Sequence, residues 1–342
     1  MREDAKMRCK PLKRERSMVK SCQVLIVVFL LALSADLVLA VEGRIAFTSN
    51  RGEDEDWTIY IMDSDGGSRS ELTEGTHPTW LPDGRTIGFV HRDDVWTIDS
   101  DGTNLARITK SGHDDGIASA AWSPNGRKIA YYGRLGPVWD IFVMDADGKN
   151  PQNLTRDPSY HGTPSWSPYG NRITFMSRAL INAQPFRSDT AIIVMDTNGG
   201  KIMNVTNHPR NKNSAPSWSP DGKKIAYSAS PKPGLWLPPT NIHLMNVDRT
   251  DPVVLTPQDR WAYEWSPTWS PDSRRLAFRK QSPDGWTDIY TINADGSDLR
   301  NITQTHRVSE ASPAWSPAPL AVSSSGRLVT KWGEVKQSAK RH

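Results

Sequence analysis

Apolar and polar residues alternate along most of this chain in short runs, separated by clusters of Gly, Pro, Asn and Asp. Alternation with a period of two is typical of a half-buried β-strand, whereas an amphipathic helix repeats about every 3.6 residues. Between residues 44 and 317 no stretch keeps a sustained helical period. The sequence therefore predicts an all-β fold built from short strands.

The strands are arranged in repeated units. A Trp followed by a turn of the type Ser-Pro-Asp-Gly recurs at intervals of 42 to 52 residues, at Trp80, Trp122, Trp166, Trp218, Trp269 and Trp315. After each turn but the last come a β-prone run, an alternating strand that ends in Asp or Asn, and a pair of the type Leu-Thr. Each unit thus offers four short strands, and repeats of this length are typical of propeller blades.

The turn residues favour antiparallel blades that close into a ring. Pro presets φ and Gly accepts positive φ, so these turns reverse the chain between consecutive strands. Six four-stranded antiparallel units predict a six-bladed β-propeller. The first unit lacks its leading strand, and residues 312–316 form a leading strand with no unit after it. We therefore expect 312–316 to pair with strands near 44–49, 57–63 and 69–73, so that N- and C-terminal strands close the ring.

The repeated pattern Pro-x-Trp-Ser-Pro-Asp-Gly, Ile-Ala-Phe/Tyr, Ile-Tyr-x-Met-Asp-x-Asp-Gly, Leu-Thr resembles the TolB-type, WD-like propeller repeat. The resemblance covers roughly residues 44–317, which is the propeller alone, without the α/β domain that precedes it in TolB. It implies the fold strongly and the function only in outline, because one fold serves many functions. TolB-like propellers dock partners at the mouth of the channel, and the resemblance implies the same mode here.

Residues 1–40 have the pattern of a secretory signal peptide. A basic segment precedes an apolar run at residues 23–33, about half of the roughly 20 residues that a spanning helix needs. Small residues follow and end at Ala40, which predicts cleavage after this residue. The alternative is an uncleaved N-terminal anchor, and either Met1 or Met18 is the start codon. The expected location is the periplasm or the outside of the cell.

Charge and cysteine content exclude several classes of function. Residues 1–40 carry eight basic and four acidic residues, the whole net charge of +4, together with Cys9 and Cys22. The remaining chain is nearly neutral and has no Cys, so it offers no thiol nucleophile, thiolate metal site or disulfide. Outside the last fifteen or so residues it also lacks the clustered basic face that nucleic-acid binding requires. We expect the propeller over 41–317 and a linker with a basic tail over 318–342.

Residues that break the repeat are the candidates for a ligand site. Polar residues ahead of the innermost strands are predicted at the channel mouth, at His77, Asp115, His161, Asn213, Glu264 and Glu310. They could bind a metal, hydrogen-bond a peptide or sugar, or form a solvated channel lining. Long loops at about 178–190 and 229–240 add the apolar residues Phe186, Leu235 and Trp236, which predict recognition or packing of the two loops against each other.

No Gly-x-Ser-x-Gly elbow or other catalytic motif occurs in the sequence. The leading hypothesis is an exported, monomeric, non-catalytic binding scaffold without a cofactor. It would present one propeller face to a protein, peptide or envelope glycan, with no nucleic acid and no stable membrane insertion after cleavage. The alternative is a propeller enzyme, such as a metal-assisted lyase or hydrolase acting on acidic sugars, that uses His77, His161 and Glu264.

Overall fold

The computed structural model describes residues 43–51, 57–110, 116–135, 138–178, 190–206, 212–230, 239–256, 263–317, 321–322 and 328–329. Every regular element within these ranges is a β-strand. The strands are β1 Arg44–Ser49, β2 Thr58–Asp63, β3 Ser70–Glu74, β4 Thr76–Trp80, β5 Thr86–His91, β6 Asp94–Asp99, β7 Ala106–Arg107, β8 Ile117–Trp122, β9 Lys128–Leu135, β10 Val138–Asp145, β11 Gln152–Asn153, β12 Tyr160–Trp166, β13 Arg172–Arg178, β14 Ala191–Asp196, β15 Met203–Asn204, β16 Lys212–Trp218, β17 Lys224–Ser230, β18 Asn241–Asn246, β19 Val253–Val254, β20 Tyr263–Trp269, β21 Arg275–Gln281, β22 Thr287–Asn293, β23 Arg300–Asn301, β24 Glu310–Trp315, β25 Ala321–Val322 and β26 Leu328–Val329. In these ranges we find no helix of the length and apolarity that crossing a membrane requires.

Strands β1 to β24 form six four-stranded antiparallel sheets, which are the blades. Blade 1 consists of β24, β1, β2 and β3 from the inside outwards, and blades 2 to 6 take β4–β7, β8–β11, β12–β15, β16–β19 and β20–β23. The innermost strands of consecutive blades contact one another all round, including β24 with both β4 and β20. The chain therefore forms a six-bladed β-propeller, as the repeats predict.

The ring is closed by the two ends of the repeat region. Strand β24 pairs antiparallel with β1, and Ile45 lies opposite Trp315. The amide of Arg44 donates to Ser316 Oγ at 2.8 Å, and the amide of Ser316 donates to the carbonyl of Arg44 at 2.8 Å. The predicted pairing of N- and C-terminal strands is confirmed.

The hydrophobic core consists of six clusters, each shared by two consecutive blades. The repeated tryptophans are buried in these clusters, since a Trp side chain covers a large apolar area. Their indoles also tie blades together: Trp166 Nε1 donates to the carbonyl of Ala121 in the preceding blade at 2.9 Å, and Trp269 Nε1 donates to that of Ser217 at 3.1 Å. The repeated Trp residues therefore stabilise the packing of consecutive blades against each other.

Each innermost strand carries a β-bulge between its first residues and its Trp. In five blades the residue three positions before the Trp has a positive φ, at His77, Thr163, Ala215, Ser266 and Ser312. A bulge inserts one residue into a strand and changes the side to which the preceding side chains point. In a regular strand, residues five positions apart point to opposite sides of the sheet. The extra residue of the bulge places them on the same side.

The predicted linker and tail contain one short antiparallel pair, in which Ala321 lies opposite Val329 and Val322 opposite Leu328. These two strands pair only with each other among the described residues. The other residues of 318–342, including the remaining basic tail, lie outside the described residues.

Candidate functional site

The two ends of the ring differ in their connections. All innermost strands begin at one end, which also carries the connections between second and third strands; we call this end the loop face. The opposite end, the turn face, carries the Ser-Pro-Asp-Gly turns. Four predicted site residues, Asp115, Phe186, Leu235 and Trp236, lie outside the described residues.

Four other predicted site residues occupy equivalent places in four blades. His161, Asn213, Glu264 and Glu310 each stand five positions before the Trp of their blade. Their exposed fractions are 2, 1, 0 and 0 %, respectively. Because of the bulge these side chains lie on the side of the sheet that bears the Trp, against the preceding blade. The structure distributes them around the ring, and their role in ligand binding stays a prediction.

The backbone at this position links consecutive blades. The amide of Asn213 donates to Thr190 Oγ1 at 2.7 Å, and the amide of Glu264 donates to Thr240 Oγ1 at 2.9 Å. At the junction that closes the ring, the amide of Glu310 donates to the equivalent hydroxyl of Thr287 at 3.1 Å. Each of these Thr residues belongs to the preceding blade, where it lies directly before the third strand or is the first residue of that strand. This position therefore has a structural function in each of these junctions.

Glu264 forms a buried ion pair with Lys280 of its own blade, on the side of blade 6 that faces blade 5. Its Oε1 accepts from Lys280 Nζ at 2.9 Å, and its Oε2 accepts from the amide of Ile242 at 3.3 Å and from the Thr256 hydroxyl. A buried carboxylate is tolerated when its oxygens have such donors, and removing one partner is strongly destabilising.

Glu310 occupies the same position in blade 1 and is paired with Arg51. The guanidinium of Arg51 also donates to Ser49 Oγ at 3.0 Å and lies over the ring of Tyr60, 5.0 Å from its centroid. Burial raises the pKa of the Glu310 carboxyl, and the positive charge of Arg51 opposes this shift. The junction where the ring closes therefore contains a buried carboxyl that holds its proton more tightly than usual.

The two histidines have different surroundings. His161 Nε2 lies 3.2 Å from Asp157 Oδ1, and its ring contacts Phe175 edge-on. His77 lies in the bulge of blade 2, and burial lowers the pKa of its imidazole. Throughout the described ranges, no three side chains of His, Cys, Asp or Glu form a group that could hold a metal ion. His77, His161 and Glu264 are thus not brought together as one ligand set.

An aromatic patch, formed by Tyr132, Trp139 and Tyr160, lies on the loop face of blades 3 and 4. The ring centroids of Tyr132 and Trp139 are 5.4 Å apart, and those of Trp139 and Tyr160 are 6.5 Å apart. Tyr160 is 36 % exposed and Trp139 is partly exposed, so the patch is accessible at its outer side. Burial and the neighbouring Tyr160 raise the pKa of Tyr132 to about 12, so Tyr132 stays neutral at physiological pH.

A second aromatic group, the blade 6 stack, consists of Tyr263, Trp265 and Arg279. The rings of Tyr263 and Trp265 stack at 5.5 Å, and the Arg279 guanidinium lies 5.1 Å from the Trp265 ring centroid. Neither group was predicted from the sequence. A signal was present, because Tyr160 and Tyr263 each stand six positions before a repeat Trp, where other blades have residues such as Lys212.

The sequence model of the TolB β-propeller domain family matches residues 134–325, more than half of the chain. The chain belongs to the TolB β-propeller family. This confirms the resemblance inferred from the repeated motifs.

Among relatives of this TolB-family chain is the Tol-Pal system protein TolB of Anaeromyxobacter dehalogenans, 30% identical over 118 residues. The match covers 32% of this chain and 26% of that protein, so it spans about a quarter of the relative's length. The crystal structure of TolB from Acinetobacter baumannii has a TM-score of 0.68 at 20% identity, covering 81% of this chain and 67% of that one. At this identity the structural similarity shows the fold alone.

An enzyme also shares the fold. The structure of an oligogalacturonate lyase in complex with manganese has a TM-score of 0.54 at 13% identity, with 76% of this chain and 73% of that one covered. This similarity likewise concerns the fold alone. It leaves the enzyme alternative open without favouring it. Among the described residues, no three side chains of His, Cys, Asp or Glu form a group that could hold a metal ion.

Proposed function

We propose that this chain is an exported, non-catalytic TolB-like propeller that binds a protein or peptide through its loop face. The observation that carries the proposal is the partly exposed aromatic patch of Tyr132, Trp139 and Tyr160 on that face. A turn or strand end does not need three adjoining aromatic side chains that all keep some solvent access. Membership of the TolB β-propeller family supports a binding role.

The composition of the loop face suits a protein partner. Trp, Tyr and Arg are the residues most enriched among those that dominate the binding energy of protein interfaces. Aromatic rings provide a large contact area at low cost in side-chain entropy, and their polar atoms remain available for hydrogen bonds. The aromatic patch and the blade 6 stack both contain residues of these types, on rigid strands rather than on loops alone.

The proposed location is the periplasm or the outside of the cell. It is supported by the signal-peptide pattern of residues 1–40 and by the similarity to a Tol-Pal system protein. The proposed partner is therefore a protein of the cell envelope or one that reaches it.

The experiment is an affinity capture from an envelope extract with the tagged chain as bait. The test variant combines Trp139→Ala and Tyr160→Ala. The matched control is Tyr169→Ala, since Tyr169 is 64 % exposed on the turn face at the other end of β12. We expect the double variant to bind the captured protein at least about tenfold more weakly, and the control to bind as the wild type does.

Equal capture by all three proteins, or loss in the Tyr169 variant alone, would contradict a binding site at the aromatic patch. Treating the extract with protease or with glycan hydrolase before capture identifies the partner class. Material that survives protease and disappears after glycan hydrolysis would replace the protein partner by an envelope glycan. Circular dichroism of each variant verifies that the propeller is intact.

A further inference from the structure

Arg279 is a cationic residue at a junction between blades. It lies on β21, the second strand of blade 6, directly opposite Trp265 on β20. Residues two apart on a strand point to the same side, and Ala277 packs in the core cluster that blade 6 shares with blade 1. The Arg279 side chain therefore projects from blade 6 towards blade 1, close to the loop face where β21 ends.

The guanidinium of Arg279 has no hydrogen-bond or ion-pair partner among the described residues. Its Nε is buried without an acceptor among these residues, and the guanidinium lies over the Trp265 ring. Burial lowers the pKa of this guanidinium, with no carboxylate raising it. Burying a charge without a partner costs stability, so a side chain held in this way requires an explanation.

The neighbouring cations already have carboxyl partners. Lys280 is the next residue on β21, but it points to the other side of the sheet and is paired with Glu264. Arg51 of blade 1 is paired with Glu310. Arg279 thus contributes one uncompensated positive charge to the described part of this junction.

The aromatic neighbours hold Arg279 in place. The Trp265 ring lies under the guanidinium, and Tyr263 stacks on Trp265 with an angle of 17° between the rings. An arginine stacked on an aromatic ring keeps its planar donors free at the edge, where they match the two oxygens of a carboxylate. The stack therefore orients the guanidinium before any ligand arrives.

We propose that Arg279 binds a carboxylate of the polypeptide partner, either an acidic side chain or the C-terminal group, at the loop-face end of the junction between blades 6 and 1. This inference rests on the proposed function for the polypeptide nature of the ligand. Among the described residues, a single unpaired guanidinium beside two existing ion pairs matches a monoanion such as a carboxylate. A phosphate dianion would require a second unpaired cation.

The test uses the full chain and N-acetyl-L-phenylalanine, a minimal peptide carboxylate with an aromatic ring that can extend the stack. Binding is measured by calorimetric titration, with N-acetyl-L-phenylalaninamide as the uncharged probe. We expect the amide to bind at least about tenfold more weakly, since it lacks the charge-assisted hydrogen bonds. Arg279→Met, which keeps the apolar stem, should lose affinity for the carboxylate by a similar factor.

Two controls separate binding from structure. Arg274→Met changes an exposed arginine on the turn face, in the same hairpin, and should leave affinity unchanged. In the absence of ligand, Arg279→Met should melt at the same temperature as the wild type or higher, because it removes an unpaired charge. A lower melting temperature together with unchanged affinity would show that Arg279 has a packing role alone.

Other results would also overturn the proposal. They are absence of carboxylate binding by the wild type, equal binding of acid and amide, and tighter binding of inorganic phosphate. Tighter binding of D-galacturonate than of the peptide carboxylate would assign the site to acidic sugars. The proposed function fails separately, because partner capture that depends on Trp139 and Tyr160 does not require Arg279.

Discussion

Deleting the strand that closes the ring should destabilise the propeller strongly. A chain truncated after Ala311 lacks most of β24, whereas a chain truncated after Ala318 retains it and loses only the tail. The comparison isolates the contribution of residues 312–318. We expect the first truncation to open blade 1 and the second to change the free energy of unfolding by less than about 1 kcal/mol, as is usual away from packed features.

The magnitude follows from the contacts that are lost. Trp315 is 6% exposed and packs against Ile45 and Phe47 of β1, and removing a buried Trp side chain costs about 3–5 kcal/mol. The two hydrogen bonds between Arg44 and Ser316 contribute about 1 kcal/mol each. Trp80 Nε1 also loses its acceptor, the carbonyl of Ala314, and an unsatisfied buried donor costs about 1–3 kcal/mol.

Together these losses amount to about 6–10 kcal/mol, a large part of the roughly 5–15 kcal/mol that stabilises a typical domain. At about 2 °C per kcal/mol, the lower end of the range that applies to large domains, the melting temperature should fall by about 12–20 °C. Scanning calorimetry and far-UV circular dichroism measure it, and Trp315→Ala in the full chain tests the side-chain contribution alone. Truncated chains whose melting temperatures agree within about 2 °C would refute the inference that β24 holds the ring shut.

Three further predictions concern processing, recognition and pH. Intact-mass analysis of exported protein should find Val41 as the first residue, and a retained leader in the membrane fraction would contradict signal-peptide cleavage. Trp236→Ala should weaken the binding of a captured partner by roughly thirtyfold in a titration, as expected for a loss of about 2 kcal/mol. Asp147→Ala on the turn face should change stability alone. The reverse pattern would place the site on the turn face. Because burial raises the pKa of Glu310, the folded protein keeps this proton at pH values where the unfolded chain has lost it. The free energy of unfolding should therefore fall as the pH rises from the usual carboxyl pKa through the raised pKa of Glu310. Denaturant titrations of Glu310→Gln should lack this fall with pH. An identical pH profile in the variant would show that Glu310 does not titrate in this way.

The fold could be predicted because its signals are local and repeated. The six Trp-turn motifs define the units, and turn chemistry with strand alternation determines the blades without knowledge of distant contacts. The closure of the ring could also be predicted. The first unit lacks its first strand, and residues 312–316 form a strand with no unit after it, so this strand can complete the first blade. The family resemblance rests on the same motifs and was confirmed by the match over residues 134–325.

The role of the candidate site residues in ligand binding stays a prediction, but their positions can be compared with the structure. His161, Asn213, Glu264 and Glu310 each stand five positions before a Trp, and they occupy equivalent places in their blades. Their burial could not be predicted, because it depends on the β-bulge in each innermost strand. The bulge arises from the conformation of a residue such as Thr163 or Ala215, which are ordinary residues with no sequence preference for a positive φ.

The period of the repeat, the strand order within a blade, the number of blades and the strands that close the ring can all be inferred from the sequence. These follow from local alternation and turn residues, which act over a few positions. Only the packing of the blades shows that Lys280 is paired with Glu264, whereas Arg279, the adjacent residue, has no partner among the described residues. The physical reason is that successive residues of a strand face different neighbouring blades, so two adjacent cations meet entirely different surroundings.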